Sequence, residues 1–111
     1  MISKIETYMN IAYEIARQSP DPSRKVGAVL LSESGRIIAS SYNGFLRKAE
    51  DSMLPLTRPE KYQYIQHAER NLLYNCAYEG IITKNTTIIV TLSPCIECLR
   101  ASYQCGVKHI I

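Results

Sequence analysis

The stretch Thr86-Thr87-Ile88-Ile89-Val90-Thr91-Leu92-Ser93-Pro94-Cys95-Ile96-Glu97-Cys98 decides the fold. Its first half, Thr86 to Leu92, is β-branched and apolar, the composition of a strand. Cys95 to Gln104 then reads as a short helix that stops at Gly106. Cys95 and Cys98 stand three positions apart, so on a helix both sulfurs face one spot. They also open that helix, where free N–H groups and the positive end of the dipole favour thiolate, the form that binds metal. Pro94 fits just ahead of them, because its missing N–H would be an orphan there anyway.

Working outward, Ile5, Tyr8, Met9, Ala12, Ile15 and Ala16 recur at helical spacing and predict an amphipathic helix over 3–18. Ser19-Pro20-Asp21-Pro22 ends it, since proline cannot continue the ladder. Val26 to Leu31 reads as a buried strand, Glu33-Ser34-Gly35-Arg36 as a hairpin turn, and Ile37 to Tyr42 as the returning strand, broken at Asn43-Gly44. Residues 45–64, with Pro55, Pro59 and many charges, read as a long loop, and loops of that length tend to be functional. His67 to Glu79 predicts a helix with Ala68, Leu72, Leu73, Cys76 and Ala77 on one side and Gly80 as its stop. Val107 to Ile111 begins another strand. The order is αββαβαβ, an α/β mixed sheet with helices packed on it, expected as one domain over 1–111.

Composition narrows the class. Hydrophobic residues at 46% and charged residues at 21% exclude a disordered tail and a collagenous repeat. No apolar run approaches the ~20 residues of a membrane-spanning helix, so no membrane partner is expected. A formal charge of +3 suits an anionic small molecule and is too mild for a nucleic-acid surface. Met1 to Gln18 carries Lys4, Glu6, Glu14 and Arg17 and lacks the continuous apolar stretch of a secretory signal. The four cysteines are therefore read in a reducing, cytoplasmic setting, where C-x-x-C means metal or redox chemistry more often than a structural bridge.

His67, at the start of another helix, offers a third ligand and makes the set Cys₂His. Cys76 lies nine residues beyond His67, roughly 13 Å along a helix, and Cys105 lies seven beyond Cys98, roughly 10 Å. Neither reaches, and both read as small core residues; His109 reads as structural. Three ligands and an open position are the arrangement of a catalytic zinc that holds water. Glu69, two residues from His67, projects to a different side of the helix. That is poor for a second ligand of the same metal. It suits a carboxylate that takes a proton from the water and passes it to a ring nitrogen and a leaving amine. The reaction class is hydrolytic removal of an exocyclic amine.

His67-Ala68-Glu69 and Pro94-Cys95-x-x-Cys98, with twenty-five residues between Glu69 and Cys95, resemble the signature of the zinc-dependent cytidine and deoxycytidylate deaminase superfamily. Asp21 to Val29, Tyr42-Asn43-Gly44-Phe45, Thr91 to Cys95 and Cys105 to Lys108 are similar to its deoxycytidylate branch, and the likeness spans residues 5–111. The resemblance implies a three-layer cytidine deaminase-like fold and one Zn²⁺ per chain on His67, Cys95 and Cys98, with Glu69 as general acid/base. It implies that backbone around Ala68 and Ser93 cradles the pyrimidine and that Asn43 bonds the sugar. Arg24 or Lys25 would serve the 5′-phosphate; read as residues alone, Asn43 is a turn former and the two cations are surface charges.

The implied reaction is dCMP to dUMP. The implied assembly is a homo-oligomer, a hexamer or a dimer, with dCTP and dTTP as effectors near Phe45 to Asp51. Residues 45–66 contain no Cys or His, so no second, structural zinc is expected there. Members of the family continue with a further helix and a fifth strand, whereas this sequence stops at Ile111 in the fourth. The last strand is therefore expected to need covering, by a partner subunit or by residues beyond those given. Other readings are a deaminase of another cytosine nucleotide or nucleoside, a deaminase of a nucleic-acid base, and a catalytically silent deaminase-like nucleotide sensor.

Overall fold

The computed structural model describes residues 3–45 and 65–111. Its elements follow the expected order: α1 (Lys4–Ala16), β1 (Gly27–Leu31), β2 (Ile37–Tyr42), α2 (Ala68–Glu79), β3 (Thr87–Val90), α3 (Ile96–Gln104) and β4 (His109–Ile110). Most of the long segment expected to be a loop lies outside the described residues, as does the expected effector segment beyond Phe45.

The four strands form one sheet in the order β2-β1-β3-β4. β1 pairs antiparallel with both β2 and β3, while β3 pairs parallel with β4, so the sheet is mixed. The parallel pair follows from chain connectivity: β3 and β4 are joined through α3, and a crossover helix returns the chain in the same direction. β1 and β2 are joined by a tight turn in which Gly35 has φ 88° and donates its N–H to the Ser32 carbonyl at 2.8 Å.

Every residue of β1 is buried because both sheet faces are covered. Val29 and Leu31 point to one side, where they meet Ala12 of α1 and Ile89. Ala28 and Leu30 point to the other, where they join Leu72, Leu73 and Cys76 of α2 with Ile88 and Val90 of β3. Ala101 of α3 packs on that second cluster, so α2 and α3 share a face opposite α1. These are the three expected layers.

Local signals set the boundaries. Ser3 caps α1 by accepting the Glu6 N–H at 3.1 Å, and Gly80 ends α2 in the left-handed region at φ 73°. α1 is shorter than its apolar spacing suggests: residues 17–19 close with turn bonds to Glu14, Ile15 and Ala16. Ile5 projects past the sheet and is exposed. Two further expectations are corrected. Ala77 is exposed on α2 rather than packed, and Cys105, at the C-cap of α3, is exposed rather than a core residue. A C-cap sits where the chain leaves the packed face, so side-chain size says nothing of burial there. No helix among the described residues is long and apolar enough to cross a membrane.

Candidate metal centre

Two strand-to-helix turns build the site. Beyond β2, Gly44 and Gln66 form an isolated antiparallel bridge, with N–H to carbonyl distances of 3.0 and 2.6 Å. The bridge sets Asn43 beside His67, although 23 residues separate them in sequence. Ser41 Oγ donates to the Ala68 carbonyl, and Asn71 Nδ2 donates to the Tyr42 carbonyl at 2.9 Å, so the start of α2 is pinned to β2. Beyond β3, Thr91 exchanges bonds with Gly27: its N–H reaches the Gly27 carbonyl at 3.0 Å, and its hydroxyl accepts the Gly27 N–H at 3.2 Å. That contact directs the chain from the sheet towards Cys95.

His67 and Cys95 are the N-cap residues of α2 and α3, and neither helix start has a side-chain cap bond. Their extended cap conformations turn both side chains back over the helix ends, where Cys98 from the first turn of α3 meets them. Cys95 Sγ lies 3.6 Å and Cys98 Sγ 3.5 Å from His67 Nδ1, and the three donor atoms lie within 4.8 Å of one another. Tetrahedral zinc with Zn–S of about 2.3 Å and Zn–N of about 2.05 Å requires an S···N edge of about 3.6 Å. Both S···N edges thus already stand at the spacing of a zinc tetrahedron.

Charge supplies a second test of fit. Glu69 is 3% exposed. Burial raises its carboxyl above the ordinary range; its own backbone N–H, the His67 charge and a bond to Cys98 partly oppose this. Burial pushes the Cys98 thiol up to about 12, reinforced by the negative charge of Glu69. A buried thiol and a buried carboxyl side by side disfavour their own ionised forms. A divalent cation reverses that balance and ionises a coordinating thiol. The residues present therefore fit a zinc ion in both distance and charge.

The same residues open onto a cavity of about 230 Å³ lined by Arg24, Asn43, His67, Ala68, Glu69, Ser93 and Cys95, with Asp21, Val26, Ile65 and Leu92. Two expected site residues are absent from this lining: Cys98, which meets His67 and Cys95 in the ligand cluster, and Lys25, whose Nζ donates to the Ser19 carbonyl. A larger hollow of about 640 Å³, lined by Tyr42, Phe45, Tyr74 and Tyr78 among others, contains none of the three candidate metal ligands.

Asn43 does more than line the cavity. Its Oδ1 accepts the Val26 N–H at 2.9 Å and its Nδ2 donates to the Arg24 carbonyl at 2.8 Å. The amide still has one N–H and one lone pair for a ligand. Asn43→Ala should cost about 1–3 kcal/mol, because the buried Val26 N–H loses its acceptor. Asn43→Asp should recover part of that loss in urea unfolding, since it restores the acceptor alone.

Asp21 is a site residue that motif reading passed over. It is 2% exposed, and its Oδ1 accepts from the Ser23 N–H, the Ser23 hydroxyl and the Arg24 N–H at 2.9, 3.0 and 3.2 Å. Asp21 and Asn43 therefore hold Arg24 by both its N–H and its carbonyl. The signal in sequence was Asp21-Pro22-Ser23, a turn in which aspartate bonds the backbone two residues on.

Comparison with known proteins places this geometry. The family described as the cytidine and deoxycytidylate deaminase zinc-binding region matches residues 2–111. The deoxycytidylate deaminase of Mus musculus is 34% identical over 112 residues, covering 96% of this chain and 62% of the relative. The chain therefore spans about three fifths of the length of that curated relative. The dCMP deaminase of cyanophage S-TIM5 in apo form superposes with a TM-score of 0.82 at 28% identity, covering 99% of this chain and 82% of that one. The same enzyme in complex with dCMP and dUMP gives a TM-score of 0.77 at 28% identity, covering 99% and 81%. With the family matched over residues 2–111 and the fold shared with the cyanophage structures, the chain belongs to the cytidine and deoxycytidylate deaminase zinc-binding family.

Proposed function

We propose that the chain carries out the hydrolytic deamination of dCMP to dUMP, with one zinc ion per chain in a single domain over 1–111. The observation that carries this reading is the juxtaposition of His67, Cys95 and Cys98 at zinc-binding distances with buried Glu69 on one small cavity. The named activity of the mouse and cyanophage relatives supports the choice of substrate.

Zinc, when bound, supplies the Lewis acidity that lets water attack a ring carbon at neutral pH. Glu69 would accept one proton from the attacking water and pass it to the ring nitrogen, then take the second proton from the hydroxyl added to the ring carbon and deliver it to the amino group, which leaves as ammonia. Burial suits it to this exchange, because a carboxyl raised above its ordinary range accepts a proton more readily and, lying nearer the working pH, can still give it back. Backbone at Ala68 and Ser93 flanks the pyrimidine, and Asn43 offers its remaining N–H and lone pair to the sugar. Arg24 meets the 5′-phosphate at the cavity rim. The reading extends to a cytoplasmic homo-oligomer, a hexamer or a dimer, regulated by dCTP and dTTP.

The test is an absorbance assay of zinc-loaded protein with dCMP, CMP, dCTP and deoxycytidine, with and without added dCTP. Turnover of dCMP above that of deoxycytidine is expected. Arg24→Ala should lower kcat/KM for dCMP about tenfold and leave deoxycytidine unchanged, since a charge-assisted bond to phosphate contributes about 1.5 kcal/mol or more. No turnover of any of the four would defeat the reading.

A further inference from the structure

Arg70 and Glu97 stand between the two helix starts that carry the metal-ligating residues. Arg70 is three residues past His67, and Glu97 lies between Cys95 and Cys98. Arg70 Nη2 donates to Glu97 Oε2 in a charge-assisted bond that joins the first turns of α2 and α3. The two side chains are 31% and 69% exposed. A pair this open contributes little to the stability of the fold. Its placement is the informative feature.

The start of α2 is anchored to the sheet through Ser41 and Tyr42. At its other end α3 closes with the Val107 N–H on the Ser102 carbonyl at 3.1 Å, and Thr83 Oγ1 donates to the Cys105 carbonyl at 2.6 Å. Its first turn follows Leu92 and Ser93, both exposed. At this end Cys98 is fully buried while Cys95 is half-buried on the chain leading in, and Arg70–Glu97 ties the first turn of α3 to the anchored start of α2. We propose that the Arg70–Glu97 pair is a clasp that holds the two helix starts at ligand spacing, so that it sets zinc retention rather than the stability of the fold. Both are positioning residues, and the inference rests on the reading of His67, Cys95 and Cys98 as zinc ligands.

The experiment measures zinc release from the loaded protein to a chromogenic chelator, alongside thermal melting of the metal-free protein. The wild type, Arg70→Met, Glu97→Gln and the double variant are compared. Each single variant should release zinc about tenfold faster, the scale of losing a supporting contact around a metal ligand. The double variant should release it no faster than the worse single, and the four metal-free melting curves should coincide. Unchanged release in the singles, effects that multiply in the double, or a melting loss that parallels the release would overturn the clasp. A wild type that takes up no zinc would overturn the ligand assignment itself, and that measurement comes first.

Discussion

Glu69→Gln is expected to lower dCMP turnover by roughly 10²–10⁴-fold and to leave zinc content unchanged. Glutamine matches glutamate in size and can still bond its surroundings, but it cannot accept and return a proton. Glu69 is not among the three residues whose donor atoms converge at zinc spacing, so the metal has no reason to leave. The substitution also relieves a carboxyl that burial disfavours in its ionised form, so the folded protein should be at least as stable as the wild type. Turnover and metal content, measured on one preparation, decide the matter. Equal, measurable rates for variant and wild type would remove Glu69 from the chemistry, and no turnover by either would favour a nucleotide sensor.

Gly27→Ala is expected to destabilise the fold by about 3 kcal/mol or more, at the upper end for overpacking. A Cβ on Gly27 would stand 2.0 Å from the Ala12 carbonyl oxygen and 2.7 Å from the Ala16 nitrogen. Both are backbone atoms of α1, so no side-chain rotation relieves the clash and the helix must lift from β1. Ala12 and Ala16 are themselves small and almost fully buried, which is what lets helix and strand approach so closely. Urea unfolding reads the effect, and a loss below 1 kcal/mol would show that α1 yields easily. α1 covers the face opposite α2 and α3, so the folded fraction of this variant should still bind zinc.

The three residues that could hold a metal, His67, Cys95 and Cys98, were legible because their arrangement is local. Two cysteines three apart at a helix start meet whatever the rest of the chain does, and His67 opens a helix of its own. The αββαβαβ order was legible for the same reason, since apolar spacing, turn residues and Gly80 act within a few positions. Asn43 was legible as a residue of interest but not in its structural role. Its bonds to Val26 and Arg24 cross from the exit of β2 to the segment that enters β1, and no local pattern announces them. Lys25 and Arg24 are adjacent in sequence and equal in charge, yet Arg24 lines the cavity and Lys25 turns to Ser19.

By itself, then, the sequence determined the elements, the family and the residues able to hold zinc beside a carboxylate, because each depends on spacing along one segment. Tertiary structure decided which strands are neighbours, that Cys105 lies at the surface, and that Asp21 and Asn43 together fix Arg24 at the cavity. It also decided that Arg70 meets Glu97 across two helix starts. Those outcomes depend on contacts between segments far apart in the chain, whose free energy is settled when the layers close and not within any one of them.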